Sequence, residues 1–221
     1  MKTVNNDFSK NPRSVSFKEQ ALYYLNSPKY RNDFINKYAF WGIDNHTEAY
    51  REWIDRKIQA SFHRKLSNAL IGDILQLSIN LNYFNEELFQ FSIRILKARF
   101  YEFTKLSSLE YIFFYLKNSC NKKELEGLLQ DFEKSTKRAS LQIQCLLNLS
   151  LINFAEYSHS IFILLKQHSY PTYFYRVANF CDYFNIDERN FICKELIILV
   201  EQKPFRSSVK DEIINKVSQS N

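Results

Sequence analysis

The sequence predicts an all-α protein of antiparallel helical hairpins, which we expect to stack into an α-solenoid-like array. Two observations favour this class. Only 3 Gly and 4 Pro occur in 221 residues, well below the roughly 7% and 5% of average usage, and turn-rich sheets and glycine-based phosphate loops need more of both. Apolar residues also recur at helical spacing, without the sustained alternation that marks a strand.

The N-terminal part of the chain predicts an arm followed by three helices. Residues 1–16 are polar and predict an extended arm. We expect helices over 17–25 and 30–40, separated by a proline-containing break at 26–28. A longer helix follows over 44–66, with an Asp or Asn as its N-cap.

Internal similarity appears from residue 67 onward. The segments 74–89, 146–162 and 177–191 each contain an apolar helix end, an aromatic turn and a second apolar helix, with a weaker copy at 111–129. Unit starts recur every 31 to 40 residues, at Ser67, Ser107, Ser140, Pro171 and Ser207. Such steps are typical of two-helix solenoids, so residues 67–221 are expected to form a hairpin repeat array. The alternative is an irregular all-α domain, in which any two amphipathic hairpins look alike.

Capping signals mark several of the expected helix ends. Ser107, Asn121 and Ser208 are each followed three residues later by Asp or Glu, the spacing of a capping box. Pro171 suits the first turn of a helix, and Pro204 suits a stop.

The net charge of +6 is concentrated near the N-terminus. Residues 1–65 hold 12 Lys and Arg against 7 Asp and Glu, which leaves 18 against 17 for the remainder. We therefore expect a basic helical region over 17–66. Five cations of its long helix lie off the apolar stripe, and we predict that they contact nucleic-acid phosphates: Arg51, Arg56, Lys57, Arg64 and Lys65. The alternative interpretation is a solvated basic face.

Further cations stand near the expected helix ends, where stacked hairpins would align them into one stripe. They are Lys97, Arg99, Lys117, Lys122, Lys123, Lys134, Lys137 and Arg138. Exposed rings such as Tyr101 and Tyr115 could stack on unpaired bases beside such a stripe. Against this, most of the aromatic residues occur at core spacing.

The cysteines indicate a reducing compartment. None forms a C-x-x-C pair, and all four lie in apolar helical patterns that predict buried, reduced thiols: Cys120, Cys145, Cys181 and Cys193. Because no run of 18 apolar residues occurs, we expect no transmembrane segment.

The sequence carries no motif of an enzyme. It lacks H-E-x-x-H, G-x-S-x-G and Walker-type patterns. His159 and His168 flank an apolar run, where a histidine at the core boundary is commoner than a general base. We therefore predict a protein without catalytic residues, without a metal or cofactor, and without an evident small-molecule substrate.

One apolar pattern resembles a known group of proteins. A helix, an aromatic turn and a Leu-Phe pair are formed by Leu70, Ile74, Leu77, Leu81, Phe84, Leu88 and Phe89. This resembles organellar helical-repeat proteins of the FAST-kinase-like and heptatricopeptide or octotricopeptide repeat families, over at most residues 67–200. Members are mostly mitochondrial or plastid RNA-binding factors, and some are fixed parts of organellar ribosomes.

The resemblance implies a non-catalytic scaffold. We expect a protein associated with RNA or ribonucleoprotein in the mitochondrial matrix, for example in the mitochondrial ribosome, with protein partners in a large assembly. A basic N-terminal segment with several Ser and Asn is compatible with organelle targeting, and the cytoplasm is the other compartment considered. The alternative function is a structural accessory subunit of another assembly, such as a respiratory complex.

Overall fold

A computed structural model describes residues 17–36, 47–61, 66–118 and 123–218. Every regular element in these residues is helical, which confirms the all-α prediction. In the part of the chain that the structure describes, the α-helices are α1 (Phe17–Asn26), α2 (Arg31–Asn36), α3 (Thr47–Ser61), α4 (Asn68–Asn80), α5 (Glu86–Lys97), α6 (Glu102–Asn118), α7 (Lys123–Ser135), α8 (Ala139–Ser150), α9 (Phe154–Gln167), α10 (Pro171–Phe180), α11 (Ile186–Gln202) and α12 (Ser207–Ser218). A 3-10 turn, Cys181–Tyr183, links α10 to α11. None of the helices described is long and apolar enough to cross a bilayer, as the sequence predicts.

The chain divides into two compact units between Leu88 and Phe89, near the start of α5. The boundary predicted at residues 66–67 therefore falls inside the first unit, between α3 and α4. Leu66 itself is not helical, contrary to the prediction. The reason is that Ser67 takes an extended conformation and caps α4 by accepting a hydrogen bond from the Leu70 amide at 3.2 Å.

The first unit packs α2 and α3 against α4. Polar side chains join these helices at their ends. The Asn80 amide group donates to the carbonyl of Ile35 at 3.1 Å, which ties α4 to α2. The Trp53 indole donates to Asn26 Oδ1 at 3.1 Å, which ties α3 to the end of α1.

Helix α8 is the centre of the second unit. It packs against α6, α7, α9 and α10. Every residue of Ala139–Ser150 except Gln142 is buried, including the polar residues Ser140, Gln144, Asn148 and Ser150. The Asn148 amide group donates to the Leu109 carbonyl at 2.8 Å, which satisfies one of these buried groups. Beyond α8, α10 packs against α12 and α9 packs against α11. Arg176 on α10 crosses between helices, donating to Glu110 on α6 at 2.5 Å and to Gln144 on α8 at 2.8 Å.

Several predicted helix starts agree with the structure. Pro171 occupies the first turn of α10, and Ser207 is the first residue of α12. Helix α8 begins one residue before Ser140, and α11 ends at Gln202, just before Pro204.

Two of the predicted N-caps, Ser107 and Ser208, do not cap a helix in the structure. Ser107 lies inside α6, where its hydroxyl donates to the Phe103 carbonyl at 3.1 Å, so it is not an N-cap. Ser208 is the second residue of α12, because the Arg206 carbonyl already accepts the first helical hydrogen bonds. Asn121 lies outside the described residues. The capping box that the structure shows joins Asn185 and Glu188 at the start of α11, and the sequence analysis missed it.

Candidate nucleic-acid interface

The predicted cations of α3 are largely engaged within the first unit. The Arg51 guanidinium lies 5.1 Å from the centre of the Tyr83 ring, and the Tyr83 hydroxyl donates to both oxygens of Asp55 at 3.1 and 3.0 Å. Lys57 Nζ lies 5.4 Å from the centre of the Trp53 ring. Partial burial lowers the pKa of Lys57, and the nearby charge of Arg31 lowers it further.

Arg56 is the most exposed of the predicted cations that the structure describes. Its side chain is 77% exposed and lies 3.1 Å from Glu52, one helical turn away. Arg64 and Lys65 lie outside the described residues. The α3 cations thus remain a prediction. In the structure, two of them cover aromatic rings and a third is balanced by a carboxylate.

The second unit carries a groove between the C-terminal ends of α5 and α7, which we call the α5–α7 groove. It encloses about 880 Å³, within the range of about 300–1,000 Å³ typical of ligand pockets. Its lining combines apolar, polar and charged side chains: Leu96, Lys97, Lys105, Leu128, Asp131, Phe132, Ser135, Thr136, Lys137 and Arg138. Four cations and one carboxylate therefore face this space, so its formal charge is strongly positive.

Lys105 forms part of the groove wall and is held in place. Its Nζ donates to the Leu96 carbonyl at 3.0 Å and lies 5.4 Å from the centre of the Phe132 ring. Partial burial lowers its pKa. Lys105 therefore satisfies a carbonyl at the end of α5 and offsets the negative end of that helix dipole.

Lys137 and Arg138 extend from the connection between α7 and α8, beyond the end of either helix. Both are exposed. Arg138 Nε lies 3.6 Å from a carboxylate oxygen of Glu102, with 74% of the Arg138 side chain exposed. Exposed pairs of this length are weak, so the guanidinium can exchange this partner for a phosphate.

Two exposed aromatic rings lie at the start of α6. Tyr101 is 67% exposed and Phe103 is 50% exposed, and their rings are nearly parallel, 6.2 Å apart with an interplanar angle of 21°. Glu102, between them in sequence, contacts both Arg138 and the hydroxyl of Ser140. These contacts join the start of α6 to the connection between α7 and α8. We call Lys137 and Arg138, the exposed cations of that connection, the rim of the groove.

Other predicted contacts are used internally. Tyr115 is half-buried and stacks on Phe89 at 4.5 Å, so the stacking role expected for it is not available in this conformation. Lys117 Nζ lies 4.6 Å from the centre of the Tyr183 ring. Lys122 lies outside the described residues.

The histidines and cysteines do not converge on a site within the described chain. His159 is exposed and packs against Phe191 at 5.2 Å, whereas half-buried His168 packs against Tyr173 at 5.7 Å. Cys145 and Cys181 are buried free thiols, and Cys193 is half-buried. In the described part of the chain, no three His, Cys, Asp or Glu side chains lie close enough together to hold a metal ion.

The structure brings three of the sequence-predicted cations, Lys97, Lys137 and Arg138, to one groove. Lys97, Lys137, Arg138 and Tyr101 were predicted as contacts near helix ends, but the main interface was expected on α3. Phe103 and the groove itself were missed. The close spacing of aromatic and basic residues over 97–105 could have indicated a nucleic-acid contact from sequence alone. The pairing of Glu102 with Arg138 could not be predicted, because it depends on how α6 and α8 pack.

Comparison of the chain with protein-family models, with curated proteins and with solved structures finds no match.

Proposed function

We propose that this protein is a non-catalytic helical scaffold that binds RNA, alone or within a ribonucleoprotein, through the α5–α7 groove and its rim. The observation that carries the proposal is a groove lined by Lys97, Lys137 and Arg138, in addition to the internally bonded Lys105. The Glu102–Arg138 ion pair connects this groove to a segment with two exposed, nearly parallel rings. RNA offers regularly spaced phosphates to the cations and planar bases to the rings.

The rim is better suited to phosphate contacts than α3. Lys137 and Arg138 are exposed in the connection between α7 and α8, where Arg138 is the N-cap of α8. In contrast, Arg51 and Lys57 lie over rings of their own unit. We therefore assign the main phosphate contacts to the rim of the groove and a secondary role to the five cations predicted in and after α3.

We also propose that the second unit is a short solenoid-like stack of hairpins. Support comes from the order of its contacts, in which α6, α8, α10 and α12 pack one after the other and α9 packs on α11. Within this unit, α6, α8, α10 and α12 begin at residues 102, 139, 171 and 207. Nearly even steps of this length suit two-helix repeats.

The proposed compartment is the mitochondrial matrix, with the cytoplasm as the other possibility considered. The support is the resemblance of residues 67–200 to organellar repeat proteins and the basic N-terminal segment. A component of the mitochondrial ribosome is an example of the assembly that fits this proposal.

An accessory subunit of another large assembly, such as a respiratory complex, is the second candidate. It is favoured by three exposed tyrosines on the first unit, Tyr23, Tyr24 and Tyr30, which contact one another edge to face at 5.7 and 6.0 Å. Tyrosine is enriched at protein interfaces because its large ring packs on apolar surface while its hydroxyl forms hydrogen bonds with water or with polar groups of the partner. Co-purification of protein partners that survives nuclease and high salt would favour this candidate.

RNA binding can be tested by electrophoretic shift at two salt concentrations. We expect salt-dependent binding, and we expect Lys137→Glu with Arg138→Glu to weaken it. For single strands the slope of log K against log salt changes by about 0.7 for each phosphate contact, so loss of two contacts should reduce it by about 1.4.

The matched control carries the same change of charge elsewhere in the second unit. Lys166→Glu with Lys194→Glu alters two exposed lysines that do not line the groove, and it should leave the slope nearly unchanged. Absence of salt-dependent binding at micromolar protein would contradict the proposal. Equal losses in both double variants would mean that net charge matters and the groove does not.

A further inference from the structure

We infer that the Tyr101–Phe103 pair and the α5–α7 groove make this surface selective for single-stranded RNA over duplex RNA. The inference rests on the proposed function, because it names the kind of RNA that the same surface takes.

The two rings of the pair are exposed to solvent and stacked on one another. Tyr101 and Phe103 are 67% and 50% exposed and are nearly parallel, with an interplanar angle of 21°. Both faces of a paired base inside a duplex are covered by the neighbouring base pairs. Only unpaired bases can leave their own stack to lie on protein rings, so such a platform favours single strands.

The cations lie where the backbone of a stacked strand would run. Glu102 stands between the two rings in sequence and holds Arg138 at 3.6 Å, and Lys137 precedes Arg138. A strand whose bases rest on Tyr101 and Phe103 can therefore place its phosphates along this connection. A partner without phosphates would leave these exposed cations unused.

The groove adds a place for a further base. Its lining combines the apolar side chains of Leu96, Leu128 and Phe132 with four cations. A volume of about 880 Å³ suits small-molecule-sized groups, which include an unpaired nucleotide, but it is far too small to admit a duplex. A duplex can thus meet only the rim, through phosphates.

The test compares full-length protein on three probes by fluorescence anisotropy at one salt concentration. The probes are a single-stranded 12-nucleotide oligouridylate, an RNA duplex with the same number of phosphates, and heparin as a polyanion without bases. We expect the single strand to bind more tightly than the duplex. Tyr101→Ala and Phe103→Ala should each weaken single-strand binding by roughly 5- to 100-fold and should leave duplex and heparin binding unchanged.

Two controls separate stacking from folding. Tyr101→Phe keeps the ring and should retain most of the single-strand affinity. Tyr170→Ala removes a 62% exposed tyrosine from the N-cap of α10, a position like that of Tyr101, whose carbonyl accepts the first hydrogen bonds of α6. Tyr170→Ala should leave binding unchanged. Circular dichroism should show the same helix content for all variants.

The outcomes for this inference and for the proposed function are distinct. If the alanine variants bind the single strand as well as the unmodified protein, or lose affinity for all three probes equally, base stacking is overturned while phosphate binding stands. If Lys137→Glu with Arg138→Glu also changes nothing, the proposed function fails as well. Capture of a nuclease-resistant protein partner that depends on both rings would instead assign them to a protein interface.

Discussion

At the scale of single residues, Arg31 illustrates how a buried charge can hold a small unit together. It is 7% exposed, and its Nε donates to Asp73 at 2.6 Å while Nη1 donates to the Leu25 carbonyl at 3.3 Å. Asp73→Ala would leave this guanidinium buried without its counter-ion and beside Lys57, whose pKa the Arg31 charge already lowers. We expect the free energy of unfolding to fall by about 3–5 kcal/mol, measured by urea denaturation.

The control for this prediction is an exposed ion pair in the same unit. Glu52→Ala removes the partner of Arg56, whose side chain is 77% exposed. The free energy of unfolding should change by no more than about 0.5 kcal/mol, because solvent screens the pair. Equal losses in the two variants would show that burial does not set the strength of the Arg31–Asp73 pair.

At the scale of secondary-structure elements, α8 is the helix on which the second unit depends most. It packs against four other helices, and Leu147 in its C-terminal half is completely buried. Leu147→Ala should lower the free energy of unfolding by about 2–5 kcal/mol, because the cavity can collapse only partly. Chemical denaturation followed by circular dichroism would measure this.

The matched variant for α8 is Ile163→Ala on the neighbouring helix α9, where the side chain is 54% exposed. Its effect should stay within about 0.5 kcal/mol. A loss similar to that of Leu147→Ala would indicate that α9 has a covered face that the structure does not show.

Element prediction succeeded where the signal was local. The segment 146–162 was expected to be a helix, a turn and a helix, and it contains the end of α8 and the start of α9. Ser107 failed as a cap because its capping-box spacing is equally compatible with a hydroxyl bonded to the preceding turn, which is what the structure shows. Sequence spacing does not distinguish these two uses of a serine.

At the scale of the whole molecule, buried thiols predict how stability depends on pH. Burial raises the pKa of Cys145, and burial together with the neighbouring Cys193 raises the pKa of Cys181 to about 12 from its usual 9.0. Above pH 9 the unfolded chain loses these protons while the folded chain keeps them, so the free energy of unfolding falls as the pH rises. Urea denaturation between pH 8 and 10.5 should show this decline.

The contribution of the thiols is isolated by Cys145→Ala with Cys181→Ala. This variant should be less stable at every pH because of lost packing, but its stability should decline less steeply above pH 9. Between pH 6 and 8, where neither thiol titrates, the two proteins should show parallel curves. An unchanged slope above pH 9 in the double variant would contradict the raised pKa values.

The all-α class and many helix positions follow from composition and periodicity, because helix formation depends on residues three and four positions apart. The interface does not follow in the same way. The sequence predicted that Arg51 and Lys57 contact phosphates, yet in the structure they lie over the rings of Tyr83 and Trp53. Arg138, by contrast, lies next to Glu102 because α6 and α8 pack together. Which cations remain at the surface, and beside which rings, depends on contacts between helices distant in sequence. Only the tertiary structure decides these contacts, because they are set by how whole helix faces pack.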